Sequence, residues 1–161
     1  MFIGNKKHAK VQNFMQLFTK IVSLHRITNL FAMVFTTEAE LSNRLKTISD
    51  NQKTIGFVPT MGALHDGHLS LLKQSIKDNS ATVISIFVNP TQFNNPEDLK
   101  KYPRTLESDI EKIQSVSDEI LIFAPTVEEM YLGKTISNKF DFDGLENQME
   151  GKFRPGHFDG V

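Results

Sequence analysis

Residues Gly56–His68, with the sequence GFVPTMGALHDGH, contain the point at which a strand gives way to a helix. Residues 54–58 are apolar and rich in β-forming types, and Pro59 and Gly62 then interrupt that pattern. In the residues that follow, apolar positions recur at spacings of three and four, which predicts a helix over 68–78. The sequence therefore predicts a strand, a sharp turn and a helix in direct succession.

The turn before this helix is a candidate site for a nucleotide phosphate. Asp66 and Gly67 occupy the positions expected for the helix N-cap, and the first amides of a helix are unpaired donors that attract anions. His65 and His68 add two imidazoles that can donate to phosphoryl oxygens, and can do so as cations once a phosphate favours their protonated form. Positioned donors of this kind stabilise a phosphoryl or nucleotidyl transfer with little covalent work by the protein.

The residues alone leave two further interpretations of the histidine pair open. Both histidines can be ordinary surface residues of a loop, and paired histidines can also bind zinc. A zinc site is disfavoured because the chain has no cysteine and because helical zinc pairs are spaced four residues apart rather than three. The succession of strand, Pro59-Thr60, two glycines, paired histidines and helix favours the nucleotide site.

After residue 33 the predicted elements alternate between helix and strand, as in an α/β domain with a parallel sheet. Thr37–Glu40 fits a capping box that begins a helix, and the near-continuous apolar run over 81–89 is typical of a buried parallel strand. Residues 89–103 are expected to form a polar loop. The remaining predicted elements are a helix over 106–116, a strand over 119–124, a short helix over 127–131, an extended segment over 136–142 and a helical turn over 145–149.

Gln92 is a second candidate site residue, because it follows the second strand of the predicted βαβ unit. Parallel strands end at one edge of a sheet, so Gln92 is expected to face whatever the histidines hold. Its amide offers two donors and an acceptor, which suit a small hydroxy acid. Asn89, at the same strand end, is expected either to line this crevice or to form an Asx turn before Pro90.

Three blocks of the sequence resemble those of a known enzyme family. The turn at His65–His68 resembles the HxGH signature of the nucleotidylyltransferase superfamily. Taken with two further blocks, residues 33–161 are similar to the pantoate:β-alanine ligase family, whose product is pantothenate. The further blocks are Ser85–Phe93 (SIFVNPTQF), continued by Pro96–Leu99 and Tyr102–Thr105, and Glu150–Val161 (EGKFRPGHFDGV).

The resemblance implies a fold and a reaction. The fold is a Rossmann-like parallel sheet with flanking helices, of the HUP or nucleotidylyltransferase type, incomplete at its C-terminal side. The reaction condenses pantoate with β-alanine through a pantoyl adenylate, and it uses ATP with Mg²⁺.

The resemblance also implies the site residues. His65 and His68 would stabilise charge on the phosphates, with His68 as the proton donor, and Gln92 would contact pantoate near the β-alanine position. The implied ATP-binding loop, acting through its backbone amides, consists of Met61, Gly62, Ala63, Leu64, His65, Asp66, Gly67 and His68.

The matching blocks correspond to about half of a family protein. Family members continue with a Gly-Glu-Lys-Asp segment, a second glutamine for pantoate and a Ser-Ser-Arg loop. We therefore expect this chain to be a fragment or a truncated gene product, with little or no ligase turnover on its own. A complete family member is expected to be a homodimer.

Composition limits the class of protein and its partners. A formal net charge of −1 gives no reason to expect nucleic acid as a partner. The absence of cysteine excludes thiolate chemistry and agrees with a reducing compartment, so we expect a cytoplasmic protein. The longest strongly apolar run, residues 27–35, is too short to span a bilayer, and no membrane partner is expected.

Residues 1–32 precede the matching region and contain basic residues but no acidic ones. They are interpreted as a basic N-terminal extension of the nucleotide-binding domain of residues 33–161. Three origins stay open for them: an upstream start or added segment, a helix that packs on the domain, or a targeting segment. Arg154 and His157 belong to the last block, and the sequence assigns them no chemistry.

Two other functions also stay open. A different HxGH nucleotidylyltransferase would have a base-specific pocket and no use for Gln92. A non-catalytic folding or association module would bind no nucleotide at all.

Overall fold

The computed structural model describes residues 33–49 and 53–160. The chain divides into two compact units, Met1–Val34 and Phe35–Val161. All of the first unit except Met33 and Val34 lies outside the described residues. The interpretation of residues 1–32 as a basic extension, with its three suggested origins, therefore lies outside them too, and the boundary at residue 33 stays a prediction.

The described strands are β1 (Val34–Phe35), β2 (Ile55–Thr60), β3 (Ala81–Ile86) and β4 (Leu121–Phe123). They form one sheet in the order β1-β4-β3-β2. β2 pairs in parallel with β3, with Ile55 opposite Ala81, and β3 pairs in parallel with β4, with Val83 opposite Leu121. The predicted α/β fold with a parallel sheet is confirmed.

Helices flank this sheet. The described helices are α1 (Glu38–Ser49), α2 (Asp66–Asp78), α3 (Pro96–Lys101), α4 (Leu106–Val116), α5 (Val127–Tyr131), α6 (Met149–Phe153) and α7 (His157–Gly160), with short 3-10 helices at Pro90–Gln92 and Leu145–Asn147. The predicted elements over 106–116 and 127–131 are thus found with the predicted bounds. The strand predicted over 119–124 is found as the shorter β4. Residues 136–142, predicted as an extended segment, form neither a helix nor a strand.

The core fixes the crossover from β2 through α2 to β3. α2 packs against both strands and against α4. Leu72 of α2, Ile84 of β3 and Ile113 of α4 have no exposed surface. Because these side chains interlock, the turn between β2 and α2 is held at a fixed place at the edge of the sheet.

Pro59 lies inside β2, so the prediction that it interrupts the strand is wrong. β2 is an edge of the sheet among the described strands. The carbonyl of Thr60 accepts from the Phe87 N–H of the neighbouring chain segment, so the nitrogen of the preceding Pro59 faces the open side. A proline there removes no hydrogen bond to β3, which is why the strand tolerates it.

The segment 89–103, predicted as a loop, contains the 3-10 turn Pro90–Gln92 and the helix α3. The side chain of Asn95 accepts from the Glu97 N–H at 2.9 Å and caps α3. Pro96 is its first residue, where a missing N–H costs nothing. The strand predicted over 81–89 is shorter, since β3 ends at Ile86.

Candidate active site

The carboxyl ends of β2, β3 and β4 lie at one edge of the sheet, as predicted for parallel strands. A cavity of about 540 Å³ lies at this edge, lined by the residues that follow all three strands, among them Met61, Val88 and Thr126. Arg104 and Glu107 also line it, from the start of α4. In the part of the chain that the structure describes, His65, His68 and Gln92 lie outside this lining.

His65 and His68 together cap the N-terminus of α2. His65 is the N-cap residue, and its Nδ1 accepts from the Gly67 N–H at 3.1 Å. The Nδ1 of His68 accepts from the His65 N–H at 3.3 Å, which completes a capping box normally built from Ser or Thr and Glu. The prediction of Asp66 or Gly67 as the cap is therefore wrong, because α2 begins at Asp66.

The capping bonds determine the tautomer of each neutral ring. A backbone N–H only donates, so each Nδ1 must accept and each neutral ring carries its proton on Nε2. The ring centroids are 4.0 Å apart, so the two rings lie side by side at the start of a 13-residue helix. That the rings act as cations once a phosphate favours their protonated form stays a prediction.

Burial, followed by repulsion from His65, holds the pKa of His68 below its ordinary value of 6.5, and the Asp109 carboxylate opposes this shift. The lowered pKa agrees with the capping geometry, since a charged His68 ring would be both desolvated and placed beside a second imidazole. The neutral ring is therefore the form that the fold favours.

The pH dependence of stability follows from this direction. Between the lowered pKa of His68 in the folded protein and 6.5, the unfolded chain binds more protons at His68 than the folded one. The free energy of unfolding therefore rises with pH in this range, and the contribution of His68 to it is complete above pH 6.5. We expect acidification from pH 7.5 to 5.5 to destabilise the protein more than its H68Q variant, which cannot titrate there. Urea unfolding at the two pH values measures this difference, and equal losses in both proteins would contradict the assignment.

The turn between β2 and α2 has a left-handed backbone at two successive residues. Gly62 has φ of 84° and Ala63 has φ of 52°. At Gly62 a Cβ would also lie 3.1 Å from an Asp109 oxygen and from Ile86, so a side chain is excluded by both strain and space. Left-handed Ala63 is an uncommon conformation that its surroundings must hold in place.

Asp109 holds this turn. Its side chain has no exposed surface, and its two oxygens accept from the Ala63 N–H at 2.9 Å and the Leu64 N–H at 2.8 Å. Thr105 Oγ1 donates to the same carboxylate at 3.1 Å, and Lys112 Nζ donates to the Leu64 carbonyl at 2.7 Å. α4 therefore fixes the loop that carries the histidines. The sequence analysis did not select Asp109. The signal for it was an acidic residue on the helix face formed by the apolar positions 106, 110 and 113, where a buried carboxylate needs partners.

Five backbone amides of the turn are bonded within the protein. The bonded pairs are Gly62 N–H with Thr60 Oγ1 at 3.2 Å, Ala63 and Leu64 N–H with Asp109, His65 N–H with His68, and Gly67 N–H with His65. That the loop binds a nucleotide through its backbone amides stays a prediction, and these five amides would have to exchange their present acceptors to take part. The imidazole Nε2–H groups are further donors that this turn offers to a ligand.

Gln92 lies in the 3-10 turn after β3, and its side chain contacts a residue of the last sequence block. Its Nε2 donates to the Gly160 carbonyl at 2.9 Å. Among the described residues, no hydrogen bond or ring contact joins Gln92 to His65 or His68. That Gln92 faces the ligand held by the two histidines therefore stays a prediction. Asn89 forms the expected Asx turn, since its Oδ1 accepts from the Thr91 N–H at 3.2 Å, and Tyr131 OH donates to the same oxygen.

Two negative findings apply to the described residues alone. Within residues 33–49 and 53–160, no group of three or more histidines and carboxylates is arranged to hold a metal ion. None of the helices in that part of the chain combines the length and apolar character needed to cross a membrane.

The fold and the site define a Rossmann-like α/β domain of the HUP type, with a histidine-capped turn after its edge strand. The Pantoate-beta-alanine ligase family matches residues 33–161, and the chain belongs to that family. The pantothenate synthetase of Flavobacterium psychrophilum is 67% identical over 129 residues, which cover 80% of this chain and 46% of that protein. The pantothenate synthetase of Christiangramia forsetii is 52% identical over 128 residues, with 80% and 45% covered.

Solved structures agree with the family. Pantothenate synthetase from Thermus thermophilus has a TM-score of 0.71 and 42% identity, covering 80% of this chain and 45% of that one. The pantoate-beta-alanine ligase of Francisella tularensis, complexed with beta-gamma ATP and beta-alanine, has a TM-score of 0.68 and 39% identity, covering 80% and 48%. The chain thus spans about half the length of the relatives it matches.

Proposed function

We propose that this chain contributes the nucleotide-binding half of an ATP-dependent ligase that condenses pantoate with β-alanine. The observation that carries the proposal is the pair of imidazole Nε2–H donors side by side at the start of α2. Phosphoryl oxygens are acceptors only, and two fixed donors beside the positive end of a helix suit them. Membership of the ligase family supports the choice of reaction.

In the proposed first step a carboxylate oxygen of pantoate attacks the α-phosphorus of ATP. A new phosphorus–oxygen bond forms, pyrophosphate leaves, and pantoyl adenylate results. His65 and His68 donate hydrogen bonds to phosphate oxygens as negative charge accumulates there. His68 is the proposed proton donor, acting from the protonated form that bound phosphates would favour. Because the two rings lie together at the start of α2 before ATP binds, little movement of the rings is needed when the charge develops.

In the proposed second step the amine of β-alanine attacks the acyl carbon and forms the new carbon–nitrogen bond. AMP leaves with the electron pair of the broken carbon–oxygen bond, and the proton that the amine loses passes to water. Gln92 is proposed to hold the hydroxy acid through its side-chain amide. Mg²⁺, which coordinates phosphate oxygens while keeping several waters, would supply charge neutralisation when bound with ATP. Among the side chains of this turn, the two imidazoles are proposed to meet the phosphates, because their Nε2–H groups suit oxygen acceptors.

The proposed nucleotide site consists of Met61, Gly62, Ala63, Leu64, His65, Asp66, Gly67 and His68. The loop serves by shape and by its two imidazoles, with Asp109 keeping its backbone in place. The proposal also includes a cytoplasmic location, which rests on the absence of cysteine, and a homodimer for a complete family member, which rests on the family resemblance.

Calorimetric titration tests the proposal. The 161-residue chain is expected to bind Mg-ATP and, separately, pantoate, whereas its pantothenate production should be negligible beside that of a complete family member. Low turnover is expected because the 161-residue chain spans about half the length of its relatives, and each contact to developing charge that such a chain does not supply itself is worth about 10²- to 10³-fold in rate. Binding of ATP without pantoate would favour another nucleotidylyltransferase, and binding of neither ligand would indicate an association module.

A further inference from the structure

The main-chain carbonyl of Gln92 is held by two side chains from the end of the chain. An Arg154 guanidinium nitrogen donates to this oxygen at 2.9 Å, and His157 Nδ1 lies 3.0 Å from it. A carbonyl oxygen only accepts, so His157 Nδ1 carries a proton. Since these residues follow Gln92 by 62 and 65 positions, the contacts are tertiary and tie the last block to the loop after β3.

The side-chain amide of Gln92 is oriented by a third residue. Its Nε2 donates to the Gly160 carbonyl at 2.9 Å, and Asn89 Nδ2 donates to the same carbonyl at 2.6 Å. Because the acceptor is a carbonyl, the nitrogen of the Gln92 amide must point at it, which settles the orientation of the amide. The described contacts leave one N–H and the Oε1 of Gln92 for a ligand.

Gly160 reaches this position because it has no side chain. A Cβ there would lie 2.6 Å from the Thr91 carbonyl carbon and 2.7 Å from the Gln92 nitrogen. Both atoms belong to the backbone of the 3-10 turn and cannot move aside as a flexible side chain would. Gly160 itself is buried, so α7 lies directly on the turn that presents Gln92.

We infer that Arg154, His157 and Gly160 are positioning residues for Gln92. The first two hold its main chain, and the third directs its side-chain amide. The remaining N–H and Oε1 then meet a carboxylate and a hydroxyl on one small molecule, the pattern of a hydroxy acid. This inference rests on the proposed role of Gln92 in binding pantoate, and it gives a function to the two residues for which the sequence provided none.

A matched pair of variants tests it. H157A removes the donor to the Gln92 carbonyl, whereas H157N restores one, because the amide nitrogen of asparagine stands at the same distance along the side chain as Nδ1. We expect H157A to weaken pantoate binding about tenfold and H157N by less than about threefold. The affinity for Mg-ATP should stay within about twofold of the wild-type value in both variants, since the described contacts of residue 157 do not include the histidine pair.

A spectroscopic readout does not depend on any ligand. The side-chain NH₂ signals of Gln92 in a ¹H–¹⁵N spectrum should be shifted from free-amide positions in the wild type, move toward them in H157A, and return in H157N. G160A should have the same effect as H157A through the backbone clash, and circular dichroism verifies that each variant folds.

The outcomes separate the inference from the proposed function. If the wild type binds neither Mg-ATP nor pantoate, the proposed function fails, and the Gln92 signals still decide whether its amide is positioned as inferred. If the wild type binds pantoate and H157A binds it equally well with unchanged Gln92 signals, the inference is overturned. Equal losses in H157A and H157N would also overturn it, because the restored donor would then have no effect.

Discussion

Replacing His68 by glutamate should weaken Mg-ATP binding by about 100-fold or more while leaving the free energy of unfolding within about 0.5 kcal/mol of the wild type. Glutamate is the usual residue at the third position of a capping box, so it can accept from the His65 N–H as His68 does. It has no donor for a phosphate, and its charge repels one. The two roles of His68 are thereby separated.

K73Q is the matched control for this variant. Lys73 is exposed on the same helix, and its replacement by glutamine changes the charge by the same amount as His68 to glutamate with a neutral ring. Calorimetric titration with Mg-ATP and urea unfolding of the three proteins give the comparison. ATP affinity that falls equally in H68E and K73Q, or in neither, would show that His68 has no direct contact with the nucleotide.

Replacing Asp109 by alanine should lower the free energy of unfolding by about 3 kcal/mol or more. The Ala63 and Leu64 N–H groups lose their acceptors, and each buried donor left unpaired costs about 1–3 kcal/mol. The left-handed turn at Gly62 and Ala63 loses the contact that holds it, so Mg-ATP affinity should fall as well. D109N keeps one oxygen acceptor, so its free energy of unfolding should lie between those of the wild type and D109A.

E111A provides the control, because Glu111 is an exposed carboxylate on the same helix. Urea unfolding followed by circular dichroism should show E111A within about 0.5 kcal/mol of the wild type. If D109A were as stable as E111A, Asp109 could not be the residue that fixes the turn. Stability that falls without any change in Mg-ATP affinity would show that the turn does not need its exact backbone shape for binding.

The sequence was most informative where local periodicity and burial agree. The helices over 106–116 and 127–131 and the parallel β2-α2-β3 unit were predicted because their apolar spacing matches the faces they bury. Pro59 misled the prediction because its tolerance depends on β2 being an edge strand, and strand order is not a local property.

The site was predicted only in part for a similar reason. His65 and His68 could be chosen from their spacing, but their capping role depends on which ring nitrogen meets which backbone amide. Asp109 and Leu64 are 45 residues apart, and no spacing rule brings them together. The same holds for Arg154 and Gln92, whose contact crosses 62 residues.

One consequence of the capping geometry is that the proposed function uses different atoms of the two rings from those that the fold uses. The Nδ1 atoms stabilise the start of α2, and the Nε2 atoms are left to carry the protons of the neutral rings. A pair of imidazoles is thus held in a defined tautomer by the fold itself, before any ligand arrives. This preorganisation is what a site that stabilises developing phosphate charge requires.

The most direct measurement is a ¹H–¹⁵N spectrum of the histidine ring nitrogens during titration with Mg-ATP. We predict that the Nε2 signals of both His65 and His68 shift on binding, while the His157 signals stay in place. Saturating Mg-ATP that leaves both Nε2 signals unchanged would contradict the claim that these two rings contact the nucleotide.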